Sequence, residues 1–226
     1  MEHWIVNLFG YNFNMDTLIT MWIAMALLIV VSFIATRNLS IIPNKLQLVF
    51  EGVIGYFSDI VASSMGEREA KRHMPLLLTL FMFILTANLL GQLPWKLIEL
   101  TQGELASPTN DINMTAAMAI VVSIYYVFFG IKKKGFKFFI ENFKVDGIMM
   151  ALVDLLELFV RPFSLALRLF ANIMAGEILV FTFLGMCAYF LPLPFMLFEI
   201  FVAFIQALVF TLLATTYIAL AVNKEE

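Results

Sequence analysis

Apolar residues in this chain come in long runs rather than in alternation, and several runs approach the roughly 20 residues that a helix needs to cross bilayer hydrocarbon. The first extends over about Thr17 to Ala35, and two more follow at about Pro75 to Leu93 and Met114 to Gly130. Between the first two lies KLQLVFEGVIGYFSDIVASSMG. There Leu46, Val49, Phe50, Val53, Ile54, Phe57, Ile60 and Val61 recur at helical spacing, while Gln47, Glu51, Ser58 and Asp59 take the other side. That pattern predicts an amphipathic helix over 45–66 lying on a membrane surface rather than a span. From Ile148 to Val222 the chain is almost continuously apolar, broken clearly only at FLPLPF, residues 190–195. The reading is a long helix over 148–189, a tight turn at Pro192 and Pro194, and a last helix over 195–222. About 40 residues at a rise of about 1.5 Å measure about 60 Å, twice the hydrocarbon thickness. The long helix must therefore tilt strongly, kink, or run partly outside the membrane.

Composition agrees with the pattern: 62% of residues are hydrophobic and 14% charged, too apolar a balance for a soluble domain. The expected fold class is an all-α polytopic membrane protein, with residues 1–226 forming one membrane domain. The net charge of −3 says little, because the basic residues of individual loops set orientation. Cys187 is the only cysteine, which excludes an intrachain disulfide and a cysteine-based metal site. The opening MEHWIVNLFGYNFN lacks the basic region of a secretory signal, and the first apolar run is long enough to stay in the bilayer.

The loops differ sharply in charge. Arg37 and Lys45, then Arg68, Lys71 and Arg72, then Lys132, Lys133, Lys134, Lys137 and Lys144, and finally Lys224 fall on one side of the expected spans. The loop QLPWKLIELTQGELASPTND offers only Lys96 against Glu99, Glu104 and Asp111. The expectation is a cytoplasmic C-terminus and an outer N-terminus. KKKGFK then reads as an orientation signal with no nucleic-acid role.

The long helix carries charge in its interior. At about 100° per residue, Asp154, Glu157, Arg161, Arg168 and Asn172 fall within a stripe of roughly 60°. Gly176 lies on the same side and Glu177 points well away. In the last helix Glu199 and Gln206 share a face. Two polar stripes on two helices joined by a turn suggest a buried aqueous or ionic path. Asp154, Glu157 and Arg161 also stand at spacings that suit mutual neutralisation within one helix. Arg168 has no carboxylate at helical pairing distance, and an arginine at the centre of a span costs roughly 3 kcal/mol on insertion scales. Its partner is expected on another helix or another chain.

LALRLFANIMAGEIL resembles the signature of subunit a of F-type ATP synthases, the membrane stator that faces a rotating ring of c subunits. PTNDINMTAAMAI is similar to the segment opening that family's next span, IKKKGFKFFIENF to its basic cytoplasmic loop, and FEIFVAFIQALVFTLLATTYIALA to its last helix. The resemblance implies that Arg168 is the family's essential arginine, with Asn172 and Gln206 as its polar neighbours near the ring. It implies that Glu177 belongs to the outer half-channel, and that Gly176 paired with Glu199 lets the second helix supply the next ionisable group. Asp154 falls at the acidic position of the cytoplasmic half-channel, with Glu157 one turn on. Ala171 and Met174 depart from the commoner Gly and Tyr. The family's strongly tilted C-terminal hairpin would accommodate the helix that is too long to stand upright. Implied partners are the c-subunit ring, the b subunits of the peripheral stalk, other ATP synthase subunits and membrane lipid. The AGEIL form and the absence of a transit-type segment favour a bacterial plasma membrane over an organelle.

No cofactor, metal or catalytic residue is expected. The chain has no G-x-x-x-x-G-K-[ST], no H-E-x-x-H and no G-x-S-x-G, and His3 and His73 read as isolated residues of the surface type. The alternative function is a self-contained secondary ion transporter, a class whose folds usually show two repeated halves with interrupted helices; no such repetition is visible. A membrane-embedded enzyme lacks a nucleophile or metal constellation.

Overall fold

The computed structural model describes residues 5–8, 11–37, 40–41, 43–91, 108–135, 148–186 and 192–222, without the side chains of 5, 6, 8, 11–13, 46, 134, 148–159, 177, 180, 181, 184–186, 192 and 193. A short antiparallel hairpin, β1 (Ile5–Leu8) and β2 (Tyr11–Asn14), pairs Ile5 with Asn14 and Leu8 with Tyr11. Among the described residues six helices follow: α1 (Met15–Arg37), α2 (Lys45–Met65), α3 (Glu67–Gly91), α4 (Ile112–Lys134), α5 (Ile148–Met186) and α6 (Pro192–Val222). A 3₁₀ turn at Pro108–Asn110 precedes α4. α1, α2, α3, α4 and α6 each contain a stretch long and apolar enough to cross a membrane. The chain is a multi-pass helical membrane protein, and the hairpin is the element that hydropathy did not predict.

Helices overrun their apolar cores because hydrogen-bonded turns continue into polar flanks. α3 starts at Glu67, eight residues before the predicted span, on the turn EREAKRHM. α6 starts at Pro192, so both prolines expected in the turn sit in its first turn, where a missing N–H costs no intrahelical bond. Residues 187–191, with Cys187, lie outside the described residues, as do 92–107 and 136–147 with Lys96, Glu99, Glu104, Lys137 and Lys144, and 223–226 with Lys224.

α1 inverts the soluble pattern. It buries Asp16, Thr17, Thr20 and Ala24 at its start, and turns Trp22, Ile29, Phe33 and Ile34 outward. Such an arrangement is stable only where the surroundings are apolar. The Asn14 amide donates to Asp111 Oδ2 at 2.9 Å, and Asp111 Oδ1 accepts from the Asn113 N–H at 2.9 Å as the cap of α4.

α2 and α3 are joined by Gly66 alone, whose φ of 79° lies in the region that disfavours a Cβ. Phe57, Val61 and Met65 of α2 pack inward, with the Phe57 ring 4.5 Å from that of Phe81 on α3. Gln47, expected on the polar side, is buried instead: its amide donates to Ser40 O at 3.1 Å and to Glu51 Oε1 at 2.7 Å, folding the preceding segment back. The main core lies where α3 meets α6 and α4 meets α5, filled by Leu77, Phe81, Ile84, Leu165, Leu169, Phe210 and Ile218.

Candidate functional site

α5 presents a buried face of Leu165, Ala166, Leu169 and Ile173 to its neighbours, chiefly α4 and α6. Its polar stripe runs along the flank of that face: Arg161, Asn172 and Gly176 are half-buried, and Arg168 is exposed. Among the described residues Arg168 makes no hydrogen bond or ion pair. Its helical neighbours three and four positions away are Ser164, Leu165, Ala171 and Asn172, none of which carries a charge.

α6 returns across α5 with the Phe183 and Phe195 rings stacked at 4.3 Å near the turn. The packing is closest at Gly176. A Cβ there would stand 2.5 Å from Glu199 Oε1 and 3.0 Å from its Cδ, so glycine makes the room that the carboxylate occupies. Asn172, Gly176, Phe195, Phe198, Glu199 and Val202 are among the residues lining a cavity of about 240 Å³ between the two helices. Glu199 is only 8% exposed. A carboxylate and an amide facing one cavity can accept and release a proton, or share a monovalent cation between oxygens.

Below Glu199, the Asn88 amide of α3 donates to Ala203 O of α6 at 3.4 Å. Asn88 Oδ1 and Gln206 Nε2 are buried with no hydrogen-bond partner among the described residues, which marks this α3–α6 seam as a place for water. Sequence reading passed over Asn88; its signal was an amide inside the apolar run FILTANLLG. Further along α6 the buried hydroxyls of Thr211 and Thr215 are closed onto their own helix, donating to Ala207 O at 2.9 Å and Thr211 O at 2.8 Å.

Toward the C-terminal end of α6, the Arg161 guanidinium lies 5.2 Å from the centre of the Tyr217 ring, a cation–π contact between α5 and α6. Tyr126 of α4 completes the group, its ring 6.4 Å from that of Tyr217 and its side chain 3% exposed. Three helices thus meet around Arg161.

His73 corrects the expectation of a surface residue, for it is fully buried. Its Nδ1 pairs with Tyr125 Oη at 2.9 Å, and its Nε2 lies 3.6 Å from Glu69 Oε2. Glu69 in turn accepts from Lys133 Nζ at 2.7 Å, and Arg72 caps the Phe129 ring at 4.9 Å. The result is a clamp between the start of α3 and the end of α4. Its Glu69–His73 contact is local, but Tyr125 and Lys133 lie more than 50 positions from the residues they meet and could not be read locally.

Asp154 and Glu157 stand on α5 and Glu177 follows Gly176, but the side chains of all three lie outside those described. Among the described residues no group of histidines, cysteines and carboxylates could hold a metal ion.

Residues 18–219 match the model of a family described as ATP synthase A chain. The ATP synthase subunit a of Gloeobacter violaceus is similar, with 40% identity over 211 residues that make up 93% of this chain and 85% of that protein.

Proposed function

Since the chain belongs to the ATP synthase A chain family, we propose that it is the stationary side of an ion path, moving H⁺ or Na⁺ across the membrane against a rotating ring of c subunits. The observation that carries this reading is Arg168: a guanidinium on an outward surface, with no charged neighbour on its own helix face and no partner among the described residues. Left against lipid it would cost several kcal/mol. The face that bears it therefore belongs against another polypeptide that brings a carboxylate.

A ring carboxylate facing lipid is neutralised by its ion. At about 4 Å from Arg168, with an effective dielectric near 20, its anion gains roughly 4 kcal/mol, about a thousandfold in the release equilibrium. The ion is released there. Guanidinium keeps its own proton, so Arg168 separates two ports without conducting between them. Glu199 and Glu177, with Gly176 making room, serve the outer port; Asp154 and Glu157 serve the cytoplasmic one. Asn172 and Gln206 flank Arg168 at the ring.

Loop charge supports an outer N-terminus and a cytoplasmic C-terminus in a bacterial plasma membrane. It also supports a surface position for α2, since Arg37 precedes that helix, Lys45 opens it, and Arg68, Lys71 and Arg72 follow it, leaving both ends on the basic side. ATP chemistry belongs to other subunits of the complex, and the b subunits of the peripheral stalk hold this chain against rotation.

The test separates charge from geometry. Arg168→Ala should abolish ion-driven ATP synthesis and open a leak between the ports in the presence of the ring. Arg168→Lys should abolish synthesis with far less leak, because lysine keeps a cation but lacks the planar fork. Ion flux through reconstituted membrane sectors, measured beside synthesis by the complete complex, decides. Normal synthesis by an assembled Arg168→Ala complex would end this reading.

A further inference from the structure

We propose that the adjoining basic ends of α3 and α4 bind one anionic phospholipid, its headgroup held by Arg68, Arg72 and Lys132 and an acyl chain lying along the outward face of α4. The site is independent of the ion path proposed above and of which leaflet is cytoplasmic.

Positive charge is left over at these helix ends. Glu69 already accepts from Lys133 Nζ at 2.7 Å and lies 3.6 Å from His73 Nε2, while Glu67 stands at the i, i+4 spacing that suits Lys71. Arg68, Arg72 and Lys132 are exposed and meet no carboxylate among the described residues. Two of them are nonetheless drawn to one point from different helices. The Arg72 guanidinium lies 4.9 Å from the centre of the Phe129 ring, and Lys132 Nζ lies 6.0 Å from the same centre and 5.9 Å from that of Phe128. The rings offer each cation a face but leave the repulsion between two like charges in place. An anion seated beside them removes it, and a phosphodiester does so with oxygens that match the guanidinium fork.

The surface next to the cations selects a lipid over a soluble anion. Ile120, Ile124, Phe128 and Ile131 follow one another at helical spacing on the exposed side of α4, and Lys132 closes the row. From Ile120 to Ile131 that row measures about 16 Å at about 1.5 Å per residue, close to half of a hydrocarbon core of about 30 Å, so it has the length of one leaflet. On α3, Arg68 and Arg72 head a second exposed row that continues through Pro75 and Thr79. The Thr79 hydroxyl donates to Pro75 O at 2.6 Å, which closes it onto its own helix, as contact with an acyl chain requires. Cations at the end of an exposed apolar row one leaflet long are the complement of an anionic lipid.

The experiment uses the complete ATP synthase in phosphatidylcholine vesicles carrying a trace of a lipid with a photoactivatable acyl chain, either phosphatidylglycerol or phosphatidylcholine. In the parent the phosphatidylglycerol probe should label α4 around Ile124 and Phe128 well above the phosphatidylcholine probe. Each basic residue near an anionic headgroup contributes about fivefold in binding. Arg68→Gln should therefore lower the preference about fivefold, and Arg72→Gln combined with Lys132→Gln about thirtyfold. Lys45→Gln, the same change of charge at the start of α2, should leave it as in the parent. Arg68→Gln decides by itself where the paired variant does not assemble. Equal labelling by the two probes in the parent, or a preference that all of these variants retain, overturns the proposal. Loss of the preference in millimolar inorganic phosphate also overturns it, by marking a site for the free anion. So does a parent in which neither probe reaches α4 while a photoactivatable side chain at position 128 crosslinks to another subunit, which would give this face to a protein.

Discussion

Replacing Gly176 by alanine tests the α5–α6 contact with one carbon atom. The new Cβ would lie 2.5 Å from Glu199 Oε1, 3.0 Å from Cδ and 3.5 Å from Cγ. An ordinary contact requires roughly 3.5 Å, so the carboxylate must retreat by about 1 Å while Cγ can stay. The retreat is feasible, because the clash falls on the end of a flexible side chain bordering a cavity of about 240 Å³. Alanine also stabilises a helix interior by about 1 kcal/mol over glycine, which offsets part of the rearrangement. Assembly and thermal stability of the complex should therefore change little. Ion transfer should suffer, since a displacement of about 1 Å in a reacting group can cost up to about a hundredfold. We expect ATP synthesis driven by an imposed ion gradient in proteoliposomes to fall at least about tenfold. Glu199→Asp in the same background withdraws the carboxylate by about one bond length and should restore part of the rate. Full activity of an assembled Gly176→Ala complex would show that the carboxylate has no required position there. Loss of assembly would refute the premise that only a side-chain end is in the way.

Two further outcomes are expected. In a chain where Cys187 is replaced, single cysteines at Glu104 and Lys134 should be labelled from the outer and cytoplasmic sides respectively, and the reverse pattern would overturn the assignment of both ports. Glu69→Gln removes the charged partner of Lys133 and His73 at a site that is partly exposed, so the purified complex should lose only about 1 kcal/mol of stability or less, seen as a small fall in its thermal midpoint with synthesis retained; a collapse of the α3–α4 pair in a protease assay would show the clamp to be indispensable.

Much of this architecture was legible because the bilayer imposes a local rule. Each span must carry its own apolar length, so Thr17–Ala35 or Pro75–Leu93 announce themselves without reference to the rest of the chain. The stripe through Arg161, Arg168 and Asn172 was legible for the same reason, since helical register needs no knowledge of neighbours. What escaped was relational. Gln47 counts as a surface residue in any periodicity, yet it is buried by bonds to Ser40 and Glu51. His73 looked isolated because Tyr125 and Lys133 arrive from another helix. Asn88 carried a visible signal, one amide in a span, but only its bond to Ala203 O joins it to the seam beneath Glu199. The β1–β2 hairpin is too short and too polar at Asn7, Asn12 and Asn14 for alternation to announce it.

The two threonines on the inner face of α6 bear on how the membrane is kept electrically tight. Between Gln206 and Tyr217 the buried face of that helix offers Ala207, Phe210, Thr211, Ala214 and Thr215. The only side-chain oxygens among these five already spend their protons on carbonyls of the same helix. On the two-port reading proposed above, an ion moving along α6 from the Glu199 cavity toward Tyr217 would cross about three turns of wall with no side-chain donor turned toward it. On that reading the stretch would act as an insulator, its resistance set in part by hydroxyls closed onto their own helix. Opening it should take no more than a polar side chain of the same size whose bonds are not satisfied at home.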